Sequence, residues 1–281
     1  MSRAAKIWLI AASILVLIGC IIFGGIMTML KWDFTKLSTV KYETNNYEIA
    51  GGFKNISIKA NTADILFVAS ESQDCTIICY EQEKVRHTVA VEDNTLAIEA
   101  KDSRRWYEYI GINFDTPQIT VYIPQGEYDA LSVKSSTGDI RVENMAIETL
   151  KLSVTTGSIT VSDITCQEDI NISVSTGKAK LSDVVCKNVV SSGNTGDIFL
   201  QNVIASEKIS IKRSTGNVRL EHADAAEIFV KTDTGNVTGT LLSDKVFITK
   251  TDTGRINVPK TTSGGRCEIN TDTGDIKIKI Q

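Results

Sequence analysis

The chain of 281 residues has little of three things that catalytic, disordered or nucleic-acid-binding proteins tend to be rich in: histidine, proline and unbalanced charge. It contains 2 histidines and 3 prolines, and its formal net charge is −4. Because 42% of the residues are hydrophobic and 23% are charged, the composition predicts a folded chain with a large core. Without a basic surplus, nucleic acid is not an expected partner.

Sequence motifs for chemistry are also missing. His87 and His222 are isolated, so we expect both at the surface, and the spacing of the six cysteines matches no zinc motif. There is no Ser/His/Asp grouping, no phosphate-cradling glycine loop and no dinucleotide fingerprint. We therefore predict no catalytic activity and no cofactor.

What the sequence does contain is the dipeptide Thr-Gly, repeated eight times at steps of 19 or 20 residues. A fixed period of this length indicates a repeat architecture. Glycine suits a tight turn because it adopts positive φ without strain. The predicted turn glycines are Gly138, Gly157, Gly177, Gly196, Gly216, Gly235, Gly254 and Gly274.

Apolar residues alternate with polar ones on both sides of each Thr-Gly, which is typical of strands with one buried face. Two residues after the glycines stand Ile140, Ile159, Ala179, Ile198, Val218, Val237, Ile256 and Ile276. Each repeat is thus predicted to be a strand, a turn, a second strand and a bend near Met145, Ile164, Val184 or Val203. Stacked coils about 4.8 Å apart would bury these faces together. The sequence therefore predicts an all-β solenoid of ~20-residue coils.

An uncharged run of 24 residues, from 7 to 30, precedes the repeats. As a helix it would be about 36 Å long, enough for a bilayer core of about 30 Å, and it exceeds the apolar region of a signal peptide. We predict one uncleaved transmembrane helix, with lipidation at Cys20 or cleavage elsewhere as alternatives. Lysines and arginines on both sides hardly discriminate orientation, and we favour an extracellular C-terminal part.

The expected organisation has five segments. They are an N-terminal tail over 1–6, the transmembrane helix over 7–30, a juxtamembrane linker over 31–46, irregular β coils over 47–130 and regular coils over 131–281. Asn61-Thr-Ala-Asp-Ile65 resembles a degraded copy of the repeat motif. The final strand, with Lys277 and Lys279, is expected at an exposed end, where lysines discourage edge pairing.

Asp-Thr-Gly, at Asp233, Asp252 and Asp272, is also the signature of aspartic proteases. Those enzymes bring two such loops together from two lobes, whereas these three copies would lie on successive turns, so a protease is not predicted. Stacked about 5 Å apart, the carboxylates would be solvated turn residues or, alternatively, a weak divalent-cation site.

A pair of cysteines and a group of aromatic residues each have two possible interpretations. Cys166 and Cys186 each lie nine residues after a glycine, so they should be neighbours, either as buried thiols or as a disulfide. Trp106, Tyr107 and Tyr109 interrupt the strand pattern, and they either pack over a coil end or contact a ligand, partner or membrane surface.

The Thr-Gly-Asp-Ile coils, together with Trp32-Asp-Phe-Thr-Lys-Leu-Ser-Thr-Val-Lys-Tyr42, resemble the bacterial DUF4097 family of β-strand-repeat candidate adhesins, particularly members from Gram-positive bacteria. The resemblance implies a right-handed, single-stranded β-helix outside a membrane anchor, and it carries no catalytic residues. Some relatives are encoded with envelope stress systems, which implies a regulatory role as the alternative.

We therefore expect a single-pass membrane protein whose extracellular solenoid binds an envelope partner, protein or polysaccharide. The alternatives are a regulatory module that binds a membrane partner or peptide and, more remotely, a polysaccharide-active enzyme. The regular faces of solenoids suit extended binding surfaces.

Overall fold

The computed structural model of the protein describes residues 2–109, 111 and 113–281. The chain forms two compact units. One consists of Met1–Tyr42 and Arg104–Asp115, and the other of Glu43–Ser103 and Thr116–Gln281. The first unit contains the helix, and the second contains the stacked strands.

Helix α1, Arg3–Met29, begins with a cap in which the Ser2 hydroxyl accepts a hydrogen bond from the Ala5 amide at 3.2 Å. It is 27 residues long and mostly exposed, with Met27 as its buried residue. Its length and its mean hydropathy of 2.8 are sufficient for a membrane span, although a signal sequence near the N-terminus has the same properties. Short 3-10 helices follow at Phe34–Leu37 and, in the second segment of this unit, at Trp106–Tyr109.

Within the described residues, twenty strands form one continuous sheet system. The strands of the N-terminal part are β1 Tyr42–Ile49, β2 Asn55–Thr62, β3 Asp64–Ser70, β4 Cys75–Gln82, β5 Val85–Glu92, β6 Thr95–Asp102 and β7 Gln118–Pro124. The repeat region contains β8 Glu127–Thr137, β9 Ile140–Thr156, β10 Ile159–Cys166, β11 Asp169–Thr176, β12 Ala179–Thr195, β13 Ile198–Thr215 and β14 Val218–Ala223. The last strands are β15 Glu227–Thr234, β16 Val237–Leu241, β17 Lys245–Thr253, β18 Ile256–Asn257, β19 Gly265–Thr273 and β20 Ile276–Ile280.

Equivalent positions of successive repeats pair in parallel register, as the period predicts. Ile159 pairs with Ile140 on one side and with Ala179 on the other. The residues two and four after the glycines point inward through most of the stack and join one continuous core cluster. The β-solenoid-like stacking is therefore confirmed, and the right-handed sense of the coils stays a prediction.

At the Thr-Gly corner the backbones of neighbouring coils touch. Gly177 has φ +136°, and a Cβ built there would lie 1.9 Å from the Gly157 carbonyl oxygen. The other seven glycines have φ between +122° and +155° and meet the adjacent coil at 1.9–2.1 Å. Only a residue without a side chain fits such a corner.

The predicted bend before the next strand is a second corner, whose first residue is left-handed in the five coils that follow Gly138, Gly157, Gly177, Gly196 and Gly216. Asn144, Asp163, Asp183, Asn202 and His222 have φ between 52° and 56°. Asn, Asp and His tolerate this conformation better than most residues. The corner thus depends on residue type as well as on tertiary packing.

The prediction that the final strand, with Lys277 and Lys279, lies at the exposed end of the solenoid is wrong. β19 pairs with both β15 and β17, and β20 pairs with both β16 and β18, so the last coil inserts between the two that precede it. Gly264 and Gly265 permit this insertion, because Cβ atoms there would lie 1.9 Å from the Asp244 oxygen and 2.1 Å from the Ala226 oxygen. The exposed end is instead the coil of β17 and β18.

At the other end, the predicted degraded repeat is confirmed. Thr62 pairs with Thr137 and Ile65 with Ile140, and Ala63 stands at the glycine position.

Beyond this coil the strands differ from the stacked coils expected over 47–130. β4 is antiparallel to β5 and β7, and β5 is antiparallel to β6. Asp93 and Asn94, with φ 46° and 63°, close the β5–β6 hairpin. Two left-handed residues are the requirement of a two-residue hairpin turn, so the chain reverses there instead of coiling onward.

Candidate functional site

The residues that follow the turn glycines form a hydrogen-bonded ladder along the stack. Asp197 Oδ1 accepts from the Asn217 amide, Asn217 Oδ1 from the Asn236 amide, Asn236 Oδ1 from the Asp275 amide and Asp275 Oδ1 from the Arg255 amide, at 2.8–3.0 Å. The hydrogen bond from the Arg255 amide is the main cause that lowers the pKa of Asp275. This ladder supplies partners for corner amides, which is a structural task.

The three Asp-Thr-Gly aspartates lie beside this ladder with exposed side chains. The insertion of the last coil places Asp272 between Asp233 and Asp252, which changes the expected order of the column. Lys250 Nζ lies 3.1 Å from Asp252 Oδ1. The cation site at these residues stays a prediction.

Cys166 and Cys186 are both buried and have free thiols. Burial raises the pKa of Cys166 to about 11 and that of Cys186 to about 12. The Cys166 thiol donates to the Glu148 carbonyl at 3.2 Å. Their pairing as a disulfide stays a prediction.

The expectation that both histidines lie at the surface is wrong for His87, which is only 5% exposed, whereas His222 is exposed. Glu81, fully buried, places Oε2 2.6 Å from both the backbone nitrogen and Nδ1 of His87. Asn45 Nδ2 donates to the other carboxylate oxygen at 2.7 Å. Glu81 stands at an inward position of strand β4, whose residues alternate between buried and partly exposed. This alternation was the sequence signal that could have identified Glu81 as buried.

Cys79 joins this pair: its sulfur, Glu81 and His87 offer donor atoms within 4.8 Å of one another. Among the described residues, these three are the group of His, Cys, Asp or Glu side chains close enough together to hold one metal ion. However, burial raises the pKa of the Cys79 thiol to about 12, and metals bind the thiolate. The Glu81 carboxylate accepts from the His87 backbone amide and from Asn45 Nδ2, so the three side chains belong to a buried hydrogen-bonded network.

A second buried charge, Arg213, lies inside the regular coils and is 1% exposed. Its guanidinium donates to the Val174 carbonyl at 3.3 Å and to the Ser191 hydroxyl at 3.1 Å, while Nε has no partner. Desolvation lowers its pKa. Gly193, in the neighbouring coil, provides the space, since a Cβ there would lie 1.7 Å from Arg213 Nη1. Arg213 stands three residues before Gly216, an inward position that the repeat period identifies.

One solvent-facing column combines cations with an aromatic ring. The ring of Phe199 lies between Lys180 Nζ at 5.9 Å and the Arg219 guanidinium at 5.6 Å. Beyond Arg219 is a depression of about 470 Å³ at Gly239, where Lys277 and Lys279 line the wall. We call Lys180, Phe199, Arg219, Lys277 and Lys279 the basic face.

Another depression, of about 370 Å³, contains Lys245 and Asp224. Lys245, 2% exposed, places Nζ 2.5 Å from an Asp224 carboxylate oxygen and 2.5 Å from the Ser243 hydroxyl. Lys245 therefore joins Asp224 and Ser243 in one buried polar contact, which supports a structural role at this corner of the coil.

The predicted aromatic contact residues lie in the unit that contains α1. Trp106 is 79% exposed, and Tyr107 and Tyr109 are also exposed. Trp106 packs edge-on against Tyr107 at 5.8 Å, and the Arg104 guanidinium lies 4.4 Å from the centre of the Tyr109 ring. The rings therefore pack on each other and on cations while leaving most of their surface open.

A family model, Toastrack DUF4097, matches residues 53–168 and 167–281, which is most of the chain. The chain belongs to the Toastrack DUF4097 family. A search of curated proteins gives no match. Solved structures similar to this chain are described as a candidate adhesin and as a candidate lipid-binding protein.

Among solved structures, this Toastrack chain is similar to a candidate adhesin from Bacteroides fragilis, with 18% identity and a TM-score of 0.54 over 86% of this chain and 97% of that one. A candidate adhesin from Parabacteroides merdae matches with 14% identity and a TM-score of 0.46, over 85% of this chain and 96% of that one. At such identities the first likeness shows the fold alone.

Proposed function

We propose that this Toastrack chain is a membrane-anchored, extracytoplasmic binding protein of the cell envelope, adhesin-like and without catalytic activity. Helix α1 supports the anchor, because it is long, apolar and exposed along the window that would span a bilayer. The stacked coils provide an extended, regular surface, which suits binding rather than chemistry.

The observation that carries the proposal is the basic face. The chain as a whole has a net charge of −4, yet this face combines four cations with the ring of Phe199 and a depression at Gly239. Glu221 pairs with Arg219 in this depression, so the face keeps a surplus of three positive charges. Cations beside an aromatic ring suit an anionic polymer, since the charges attract it and the ring offers a stacking surface. An anionic envelope polysaccharide is therefore the partner class that the geometry favours over an uncharged one.

A binding assay with the full-length chain in nanodiscs and purified anionic wall polymer tests this partner. The double variant Lys277→Gln/Lys279→Gln should weaken binding severalfold, and added salt should weaken wild-type binding. The matched control is Lys134→Gln/Lys151→Gln, which removes two exposed lysines elsewhere on the coils. Equal losses in both variants would show that only net charge matters and would refute the assignment to this face.

Topology is tested separately by protease treatment of intact and permeabilised cells that carry a C-terminal epitope tag. Loss of the tag from intact cells is the expected result. Loss only after permeabilisation would place the coils inside and would contradict an envelope-facing role.

A further inference from the structure

The unit that contains α1 also holds five exposed aromatic residues from two segments of the chain. Trp32 and Phe34 come directly after the helix, and Trp106, Tyr107 and Phe114 come from the distant segment Arg104–Asp115. All five are at least 46% exposed. Several large exposed rings within one small unit indicate an interaction surface.

The chain turns sharply where the helix ends, which keeps the first of these rings close to it. The Trp32 amide donates to the Met27 carbonyl at 2.8 Å, and Lys31 and Trp32 are both left-handed, with φ 55° and 59°. Met27 is fully buried although it is not part of the solenoid core. One side of the last helical turn, at Met27, is therefore covered by protein, and the Trp32 amide is hydrogen-bonded to it.

The distant segment is held against the chain that follows the helix by specific contacts. The Tyr42 hydroxyl donates to the Asp115 carbonyl at 3.0 Å and accepts from Asn113 Nδ2 at 2.7 Å. Gly111 approaches Thr39 so closely that a Cβ there would lie 3.0 Å from its hydroxyl. This docking holds the segment Arg104–Asp115 in one compact unit with the residues that follow the helix.

The charge of the two segments favours contact with a membrane surface. Outside the helix, segments 31–42 and 104–115 carry five lysines and arginines against three acidic residues, whereas the whole chain is acidic. Tryptophan and tyrosine rings concentrate at membrane–water interfaces, where one edge is apolar and the other wet. Basic residues close to a membrane are attracted to anionic lipid headgroups.

We infer that Trp106, Tyr107 and Phe114, with Trp32 and Phe34, insert into the headgroup layer of the bilayer that α1 spans. The segment Arg104–Asp115 is thus a second membrane contact, formed by residues about 75 positions away in the sequence from the anchor. This inference rests on the proposed anchor, and the test separates the two.

The test uses the full-length chain in liposomes of phosphatidylcholine and phosphatidylglycerol, with lipids brominated at different depths. The protein has 3 tryptophans, which are Trp8, Trp32 and Trp106. One variant, Trp8→Phe/Trp32→Phe, retains only Trp106, and a second, Trp32→Phe/Trp106→Phe, retains only Trp8 as the reporter of the anchor.

We expect Trp106 fluorescence to be quenched most by lipids brominated near the headgroup and to be protected from aqueous iodide. Adding Tyr42→Phe, which removes the hydroxyl that docks the segment, should reduce this quenching by at least half while Trp8 quenching is unchanged. Undiminished quenching in Tyr42→Phe would overturn the docking.

If Trp8 is quenched and Trp106 is not, the second contact is refuted and the anchor stands. If neither is quenched, the anchor itself fails. Trp106 shielded from iodide without lipid quenching would assign the rings to a protein partner and would overturn the membrane contact.

Discussion

Replacing a turn glycine by alanine tests the claim that the coils stack backbone against backbone. In Gly177→Ala, the new Cβ would lie 1.9 Å from the Gly157 carbonyl oxygen, at a φ of +136°. Forcing a side chain into such a backbone conformation costs about 1–3 kcal/mol, and overpacking a filled site costs about 1–3 kcal/mol. Because coils are stacked on both sides, neither neighbour can move away cheaply.

We therefore expect Gly177→Ala to lower the free energy of unfolding by roughly 2–6 kcal/mol. Urea unfolding of the full-length chain in detergent, followed by far-ultraviolet circular dichroism, measures this change. Gly126→Ala is the matched control, since a Cβ there meets nothing within 4 Å. Surface changes of that kind stay within about 0.5 kcal/mol.

A turn glycine at the exposed end of the stack provides a second comparison. Gly254 meets the Gly274 carbonyl oxygen at 2.1 Å, but its coil is at the exposed end and can shift outward. Gly254→Ala should therefore cost less than Gly177→Ala. If both behave like Gly126→Ala, the corner is looser than the structure shows and the reasoning is refuted.

Three further predictions concern buried groups. Arg213→Met keeps much of the side-chain volume and removes the unpaired charge, so it should raise the free energy of unfolding, measured in urea, by about 1–4 kcal/mol. A lower free energy of unfolding would show that the contacts of the guanidinium outweigh the cost of its desolvation. Glu81→Ala should lower the free energy of unfolding by about 1–3 kcal/mol, because the His87 amide and Asn45 lose their buried acceptor. The partly exposed Glu143 is the control, and Glu143→Ala should change it by about 0.5 kcal/mol or less; equal effects would contradict the network. Burial raises the pKa of five thiols to about 11–12, so between pH 9 and these values only the unfolded chain ionises them. The free energy of unfolding should therefore fall as the pH rises from 9 toward 12. A constant free energy of unfolding in urea titrations over this pH range would contradict that burial.

Much of the stacked region could be predicted from the sequence because its signals are local. The glycine at each turn and the alternation around it specify which residues face inward, and the structure places Ile159 against Ile140 and Ala179 accordingly. The same alternation contained the signal for the inward positions of Arg213 and Glu81, which we did not predict, but not for their partners. The partners come from other coils and from β1, at separations that no local pattern encodes.

The sequence by itself determined the period, the buried face, the two corners and the apolar helix, since each depends on residues close together in the chain. Only the tertiary structure decided which coils are neighbours. Repeats with the same pattern can pair equally well by their backbones, so the last coil could insert between its predecessors once Gly264 and Gly265 allowed close approach. The same holds for the segment Arg104–Asp115, whose docking against Tyr42 depends on contacts between residues more than 70 positions apart. Such contacts are selected by shape and hydrogen bonding in three dimensions, which a period of 19 or 20 residues does not record.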